Sequence, residues 1–144
     1  MEISIRPARS ADADTLYRML CDLENTALAR ESFDVAFLTN LGNENIHYLI
    51  AEAQETPVGM ASCHVQWLLH HAARVAEIQE MYVDPALRSQ GIGNKLIEVI
   101  RQFAQARGAC QIEVTSNLTR HNTHRFYERE GFQQTHAKLV MNLS

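Results

Sequence analysis

The stretch Val83-Asp84-Pro85-Ala86-Leu87-Arg88-Ser89-Gln90-Gly91-Ile92-Gly93 decides how the chain reads. It follows a strand-like run, breaks at Asp84-Pro85, and opens a periodic apolar run with Ile92, Leu96, Ile97, Ile100, Phe103 and Ala104 on one helical face. Gly108 closes that helix. A helix start offers unpaired backbone N–H groups and a positive dipole end, which together hold a phosphate. Gly91 and Gly93 let the backbone come close to the anion, and Arg88 adds a charged donor. Neither the six-residue dinucleotide glycine spacing nor a Walker loop is present, so nicotinamide binding and nucleotide hydrolysis are disfavoured.

Working outward, Arg74 to Val83 is a long strand upstream of the loop, and Tyr48 to Ala53 and Val58 to Trp67 form a hairpin across Gln54 to Pro57, with Pro in the turn. Ile3 to Ile5 alternates like a short strand. Ser10 or Asp12 caps a helix that runs to about Glu24, with Leu16, Leu20 and Leu23 on one face, and Ser32 caps a second, with Phe33, Ala36, Phe37 and Leu41 in helical register. Downstream come a strand over Gln111 to Thr115, a helix over Arg120 to Glu130 closed by Gly131, and one or two final strands from Phe132. Antiparallel hairpins beside a strand–helix–strand crossover predict an α/β (mixed α+β) fold: a central, mixed, mostly antiparallel twisted sheet with helices on both faces.

At 144 residues the chain reads as one domain, 1–144, and with 46% apolar and 21% charged residues it needs no disulfide or metal to fold. The net charge of −4 argues against nucleic acid as a partner. No apolar run approaches the ~18 residues of a membrane span, and the first residues lack an export signal, so a cytoplasmic protein is expected. Cys21, Cys63 and Cys110 are odd in number, without a CxxC pair, and read as buried reduced thiols. Charge is uneven: residues 1–60 hold 4 basic against 10 acidic residues, whereas residues 61–144 hold 9 against 7 and six of the seven histidines. The half with the phosphate loop is the mildly basic one.

Val83-Asp84-Pro85, Arg88-x-x-Gly91-x-Gly93, the long helix, then Phe126-Tyr127 and Gly131-Phe132 resemble the GNAT superfamily of acetyl-CoA-dependent N-acetyltransferases. Within it, His70-His71, Glu77-Ile78-Gln79-Glu80 and Arg120-His121-x-x-His124-Arg125-Phe126-Tyr127 resemble the bacterial aminoalkylphosphonate N-acetyltransferases. The resemblance implies the GNAT fold, acetyl-CoA as cosubstrate, a small amine as acceptor, direct transfer in a ternary complex, and a homodimer. It implies a pyrophosphate site at Arg88, Ser89, Gln90, Gly91, Ile92, Gly93, Asn94 and Lys95, with the aromatic pair near the sulfur. Many members carry Asn where this chain has Arg120. Asn117, or else Asn122, is the candidate contact to the pantetheine arm.

The chemistry needs a base, because an alkyl ammonium has a pKa near 10. Strand alternation puts Glu77 and Gln79 on one face and Ile78, Glu80 and Tyr82 on the other, so only one glutamate faces the cleft unless a bulge reorients the strand. Matched back from Val83, Glu77 stands where many family members hold a base or a water, and Glu80 is the second candidate. Backbone N–H groups along Met81, Tyr82 and Val83 are expected to polarise the thioester carbonyl. Tyr127 resembles the family's general acid, with one of Phe126 and Tyr127 expected in the core and the other at the cleft.

A phosphonate needs cations or a metal, and the candidates are His64, His70, His71, Arg74, Arg120 and His121. A divalent metal is left open, since no spacing among these is diagnostic. Two other readings remain: a GNAT enzyme for a polyamine, amino sugar or protein lysine, and a non-catalytic acyl-CoA-binding module.

Overall fold

The computed structural model describes residues 2–116 and 120–143. A five-stranded sheet runs in the order β1 (Ile3–Pro7), β2 (Ile46–Ala53), β3 (Thr56–Leu68), β4 (Ala73–Val83), β5 (Ala109–Val114). The first three pairings are antiparallel, and β4–β5 is parallel. A parallel neighbour needs a crossover, which α3 (Ile92–Ala106) supplies. α1 (Ala13–Glu24) and α2 (Arg30–Leu41) precede the hairpins, and α4 (His121–Arg129) follows β5. The mixed, mostly antiparallel sheet is the expected fold class.

Helices cover both faces. Leu96, Ile97, Ile100 and Ala104 of α3 pack on Leu49, Ala51, Ala61, Cys63, Ala76 and Ile78. The alanines leave room for the helix to lie close to the sheet. On the other face, Leu16, Met19, Leu20 and Phe37 from α1 and α2 pack on Ile50, Met60 and Tyr82. Arg6 ties β1 to the start of α1 by two 2.8 Å bonds to Asp12.

Four expectations are corrected. The β2–β3 turn is Gln54-Glu55, both left-handed (φ 50° and 68°), as a two-residue hairpin requires. Pro57 is not in that turn but in β3 opposite Glu52, beside a register shift that accommodates its missing N–H. No strand follows Phe132 among the described residues: 133–143 has no regular secondary structure and is exposed. Cys63 is buried as expected, but Cys21 is half-buried and Cys110 is exposed on the edge strand.

The fourth correction concerns β4. Ala61 pairs with Met81 and Cys63 with Ile78, so Ser62 alone faces both Gln79 and Glu80. This is a β-bulge, and it switches the strand's parity. Ile78, Met81 and Val83 all pack toward α3, whereas Tyr82 belongs to the α1–α2 side. Glu80 therefore does not share a face with Ile78. It joins Glu77, His64 and Ser62 on the α1–α2 side.

Candidate active site

The loop between β4 and α3 carries two left-handed residues, Ser89 (φ 67°) and Gly91 (φ 83°). Gly91 is the N-cap of α3, with no side-chain cap, so the first N–H groups of the helix remain open to an anion. Arg88, exposed, donates from Nε to the Val83 carbonyl at 3.3 Å, leaving its terminal nitrogens to the loop. Gly93 has a packing reason beside the expected one. A Cβ there would lie 2.9 and 3.1 Å from Phe126 ring atoms, so Gly93 lets α4 dock on α3. Ile92 is buried, Lys95 is exposed, and the Asn94 amide is held by Glu130 at 2.9 and 3.0 Å.

β4 and β5 pair only from Arg74↔Ala109 to Ile78↔Val114. Beyond that point the β5-side edge of β4, through Met81, Tyr82 and Val83, has no strand partner among the described residues. Backbone donors and acceptors on such an edge take an extended ligand as a sheet takes a strand. Asn117 lies outside the described residues. Asn122 is exposed on the first turn of α4 and accepts from Arg125.

Glu80 is half-buried. Its carboxylate accepts from Ser62 Oγ, and its backbone N–H donates to the same oxygen at 3.0 Å. With Leu16, Leu20, Phe33, Phe37, Tyr48 and Met60 it lines a cavity of about 140 Å³. Burial pushes the Tyr48 hydroxyl above its usual pKa, and Glu80 adds to this. Glu77, also half-buried, accepts from Gln79 Nε2 at 3.0 Å and lies across from His64 on β3 and Glu113 on β5. A larger cavity, about 820 Å³, opens where α1 ends, between Arg18, Asp22, Asn25 to Ala27, Tyr82 and Asp84. The Tyr82 hydroxyl donates to Asp22; burial first, and then that carboxylate, push it up to about 12.

Tyr127 is in the core, 8% exposed, and its hydroxyl has no hydrogen-bond partner among the described residues. Burial pushes its pKa up to about 12, and the Arg120 guanidinium opposes this. Phe126 packs against the same cluster, over Gly93 of α3, so the expected division into one core and one cleft aromatic does not hold.

The basic candidates scatter. His64 stands beside Glu77 in mid-sheet. Arg120 reaches from α4 to the Leu23 carbonyl (3.3 Å), at the end of α1. His121 is exposed next to it. Arg74, His70 and His71 sit at the start of β4, roughly 30 Å along the strand from Val83 at ~3.3 Å per residue. Arg74 is occupied there, donating to the Arg107 carbonyl at 2.8 Å and lying over the Trp67 ring. His71 approaches Glu113 at 3.9 Å. Among the described residues no three His, Cys, Asp or Glu side chains are arranged to hold a metal. No helix among them is long and apolar enough to cross a membrane.

Ser62, Arg18 and Asp22 were not foreseen. Ser62 had a signal: it is the polar residue in the buried run Val58 to Cys63. Arg18 and Asp22 had none, because on an amphipathic helix they look like any solvated pair.

Residues 13–132 match the model of the acetyltransferase (GNAT) family. The chain is 38% identical over 139 residues (96% of this chain, 90% of the relative) to the aminoalkylphosphonate N-acetyltransferase of Salmonella typhimurium. It is 26% identical over 120 residues, 80% of this chain and 79% of the relative, to the aminoglycoside N(6')-acetyltransferase type 1 of Klebsiella aerogenes. The crystal structure of a transcriptional regulator from Bacillus halodurans superposes with a TM-score of 0.89, 27% identity, and coverage of 99% and 100%. An aminoglycoside N-acetyltransferase in complex with CoA shares the fold (TM-score 0.88, 14% identity, 98% and 94% coverage).

Proposed function

The chain belongs to the acetyltransferase (GNAT) family, an acetyl-transferring enzyme by that membership, and from this premise we propose that it acetylates the primary amine of a small aminoalkylphosphonate by direct attack in a ternary complex. The observation that carries the reading is the bulge of β4 at Gln79–Glu80. It brings Glu80 to the α1–α2 side that Glu77 already faces, and into the smaller of the two cavities there, while the free edge of Met81 to Val83 runs on beyond the last β4–β5 pair. An acidic pocket suits an ammonium group, and the 38% identical relative is named for aminoalkylphosphonate.

Acetyl-CoA supplies an activated thioester, and the fit is good: an uncapped helix start for its pyrophosphate and an unpaired strand edge for its pantetheine arm. Gly91, Ile92 and Gly93 offer backbone N–H groups to the pyrophosphate, and Arg88 adds charge. The Met81 to Val83 edge donates to the carbonyl oxygen, where charge develops. Glu80, held by Ser62, receives the ammonium in the small apolar pocket. Glu77, half-exposed and wet, takes the amine proton through a water. Arg18, Arg120 and His121 meet the phosphonate at the mouth of the larger cavity.

Tyr127 acts on the leaving sulfur. Its pKa of about 12 keeps the hydroxyl neutral at neutral pH. Full proton transfer to a thiolate of pKa ~8.5 is uphill by roughly 3.5 units, or about 5 kcal/mol, so Tyr127 serves as a hydrogen-bond donor to that sulfur and not as the source of the final proton.

The test is thiol release from acetyl-CoA with aminoalkylphosphonates, polyamines and aminoglycosides, each with and without a chelator. Turnover of aminophosphonates above the other amines is expected. Turnover of aminoglycosides but not aminophosphonates overturns the acceptor assignment.

A further inference from the structure

α1 and α2 each carry an arginine with an aspartate four residues on: Arg18 with Asp22, and Arg30 with Asp34. Residue types, order and spacing are the same, and opposite charges at this spacing are neighbours on a helix surface. On α2 the pair forms. Arg30 donates from Nε to Asp34 at 2.9 Å and from Nη2 to Asp14 at 2.6 Å. On α1 it does not. Arg18 has no hydrogen bond or ion pair among the described residues.

What differs is a competitor. Tyr82, 60 residues along the chain on β4, donates its hydroxyl to Asp22 Oδ2. The ring is buried in the apolar cluster under α1 and α2, so the hydroxyl has a fixed place and holds the carboxylate to it. With its pKa pushed up to about 12, the hydroxyl keeps its proton and stays the donor at neutral pH. Arg18, Asp22 and Tyr82 all line the cavity of about 820 Å³, and Arg18 is the only cation among the described residues that line it. Arg120, the other guanidinium at this end of α1, is engaged with the Leu23 carbonyl at 3.3 Å.

We propose that Tyr82 sets the preference of this cavity for an anionic acceptor: by holding Asp22 it keeps that carboxylate off Arg18 and leaves the Arg18 guanidinium to the acid end of the acceptor. Tyr82 is a positioning residue in this role, because it acts through Asp22 and not on the anion itself. Without it, Asp22 swings to Arg18 as Asp34 does to Arg30, and the cavity loses its free cation. This role rests on the reading that the acceptor is a phosphonate met by Arg18.

Methylphosphonate, which has the anion and no amine, probes this step as a competitive inhibitor against the aminoalkylphosphonate. Tyr82→Phe should raise its inhibition constant, and the KM of the aminoalkylphosphonate, by about two- to fivefold, the scale of an exposed ion pair. Adding Asp22→Asn should restore both values, because no carboxylate remains to take Arg18. Disturbed packing at Tyr82 would not be repaired that way. Asp22→Asn alone leaves the Tyr82 ring in place and decides the matter should Tyr82→Phe fold poorly. It should tighten methylphosphonate binding without raising the KM of the aminoalkylphosphonate, and the opposite result overturns the role. Arg18→Gln separates the two readings. An unchanged methylphosphonate constant in that variant removes Arg18 from the phosphonate, and the role of Tyr82 falls with it. A weakened constant in Arg18→Gln beside an unchanged one in Tyr82→Phe, or a double variant as weak as Tyr82→Phe, overturns the role of Tyr82 alone.

Discussion

On the side of the sheet that α3 covers, Ala51, Ala61 and Ala76 meet Leu96, Ile97 and Ile100 with no polar side chain between them. On the opposite side the same strands present Ser62, His64, Glu77 and Glu80, and α1 and α2 cover them only in part, leaving cavities of about 820 and 140 Å³. One face is a packed base that positions the β4–α3 loop, and the other is a polar, partly open floor. The difference shows how a sheet with one residue period can serve both purposes. The bulge at Gln79–Glu80 shifts the parity in mid-strand, so apolar residues face α3 both before and after it while two carboxylates three residues apart share the opposite face, Glu80 lining the smaller cavity.

The largest expected effect falls on the open face. Glu77→Gln should lower kcat by about 10²–10⁴-fold, roughly 3–5.5 kcal/mol of barrier, at nearly unchanged KM and melting temperature. Glu80→Gln should mainly raise KM, because in the proposed function its carboxylate, held by Ser62, is the group that receives the ammonium. A Glu77→Gln enzyme that keeps its kcat from pH 7 to 9 removes Glu77 from the base role, and a Glu80→Gln enzyme that loses kcat instead would exchange the two.

Ile100→Ala on the closed face should do the reverse. Ile100 is fully buried between α3 and the sheet, so the change should cost about 2–5 kcal/mol of stability and leave turnover per folded molecule intact. Val35→Ala, at an exposed position of α2, should stay within about 0.5 kcal/mol. Urea denaturation of the three proteins measures this directly. Lost turnover at unchanged stability in Ile100→Ala would mean that the packing of α3 at Ile100 itself reaches into the chemistry.

The closed face was the legible one. Its signals are local: the 3.6-residue period of Ile92 to Ala104, the Asp84-Pro85 break and Gly91 all act within a turn or two of chain. The open face depends on strand pairing. Whether Glu77 and Glu80 share a face is decided by the register of Ser62 against β4, a contact 18 residues away that no window of sequence contains. For the same reason His70, His71 and Arg74 read as candidates for the phosphonate, although they stand at or just before the start of β4, far from Val83 at its other end. The expected final strands failed differently. The pattern of 139–143 is strand-like, but a strand needs a neighbour, and the chain's own body supplies none to it among the described residues.

Each face also holds a tyrosine with a pKa near 12, and the two should separate under alkali. Tyr82 hydrogen-bonds to Asp22 at the rim of the larger cavity, whereas Tyr127 is raised by burial against the counteracting charge of Arg120. In the unfolded chain a tyrosine ionises near 10. The folded state therefore holds the Tyr127 proton more tightly. The stability this contributes is fully present below pH 10 and is lost as pH rises from about 10 to about 12. Two units correspond to roughly 3 kcal/mol. Tyr127→Phe has no proton to lose, so its unfolding free energy should fall less than that of the wild type across this window, by up to that amount. The same variant should lose about 10–150-fold in kcat at neutral pH, the range of a hydrogen bond to a charged acceptor. Parallel stability curves would mean that burial does not hold the hydroxyl neutral. A loss near 10⁴-fold would mean that Tyr127 delivers the proton itself and does not merely donate a hydrogen bond.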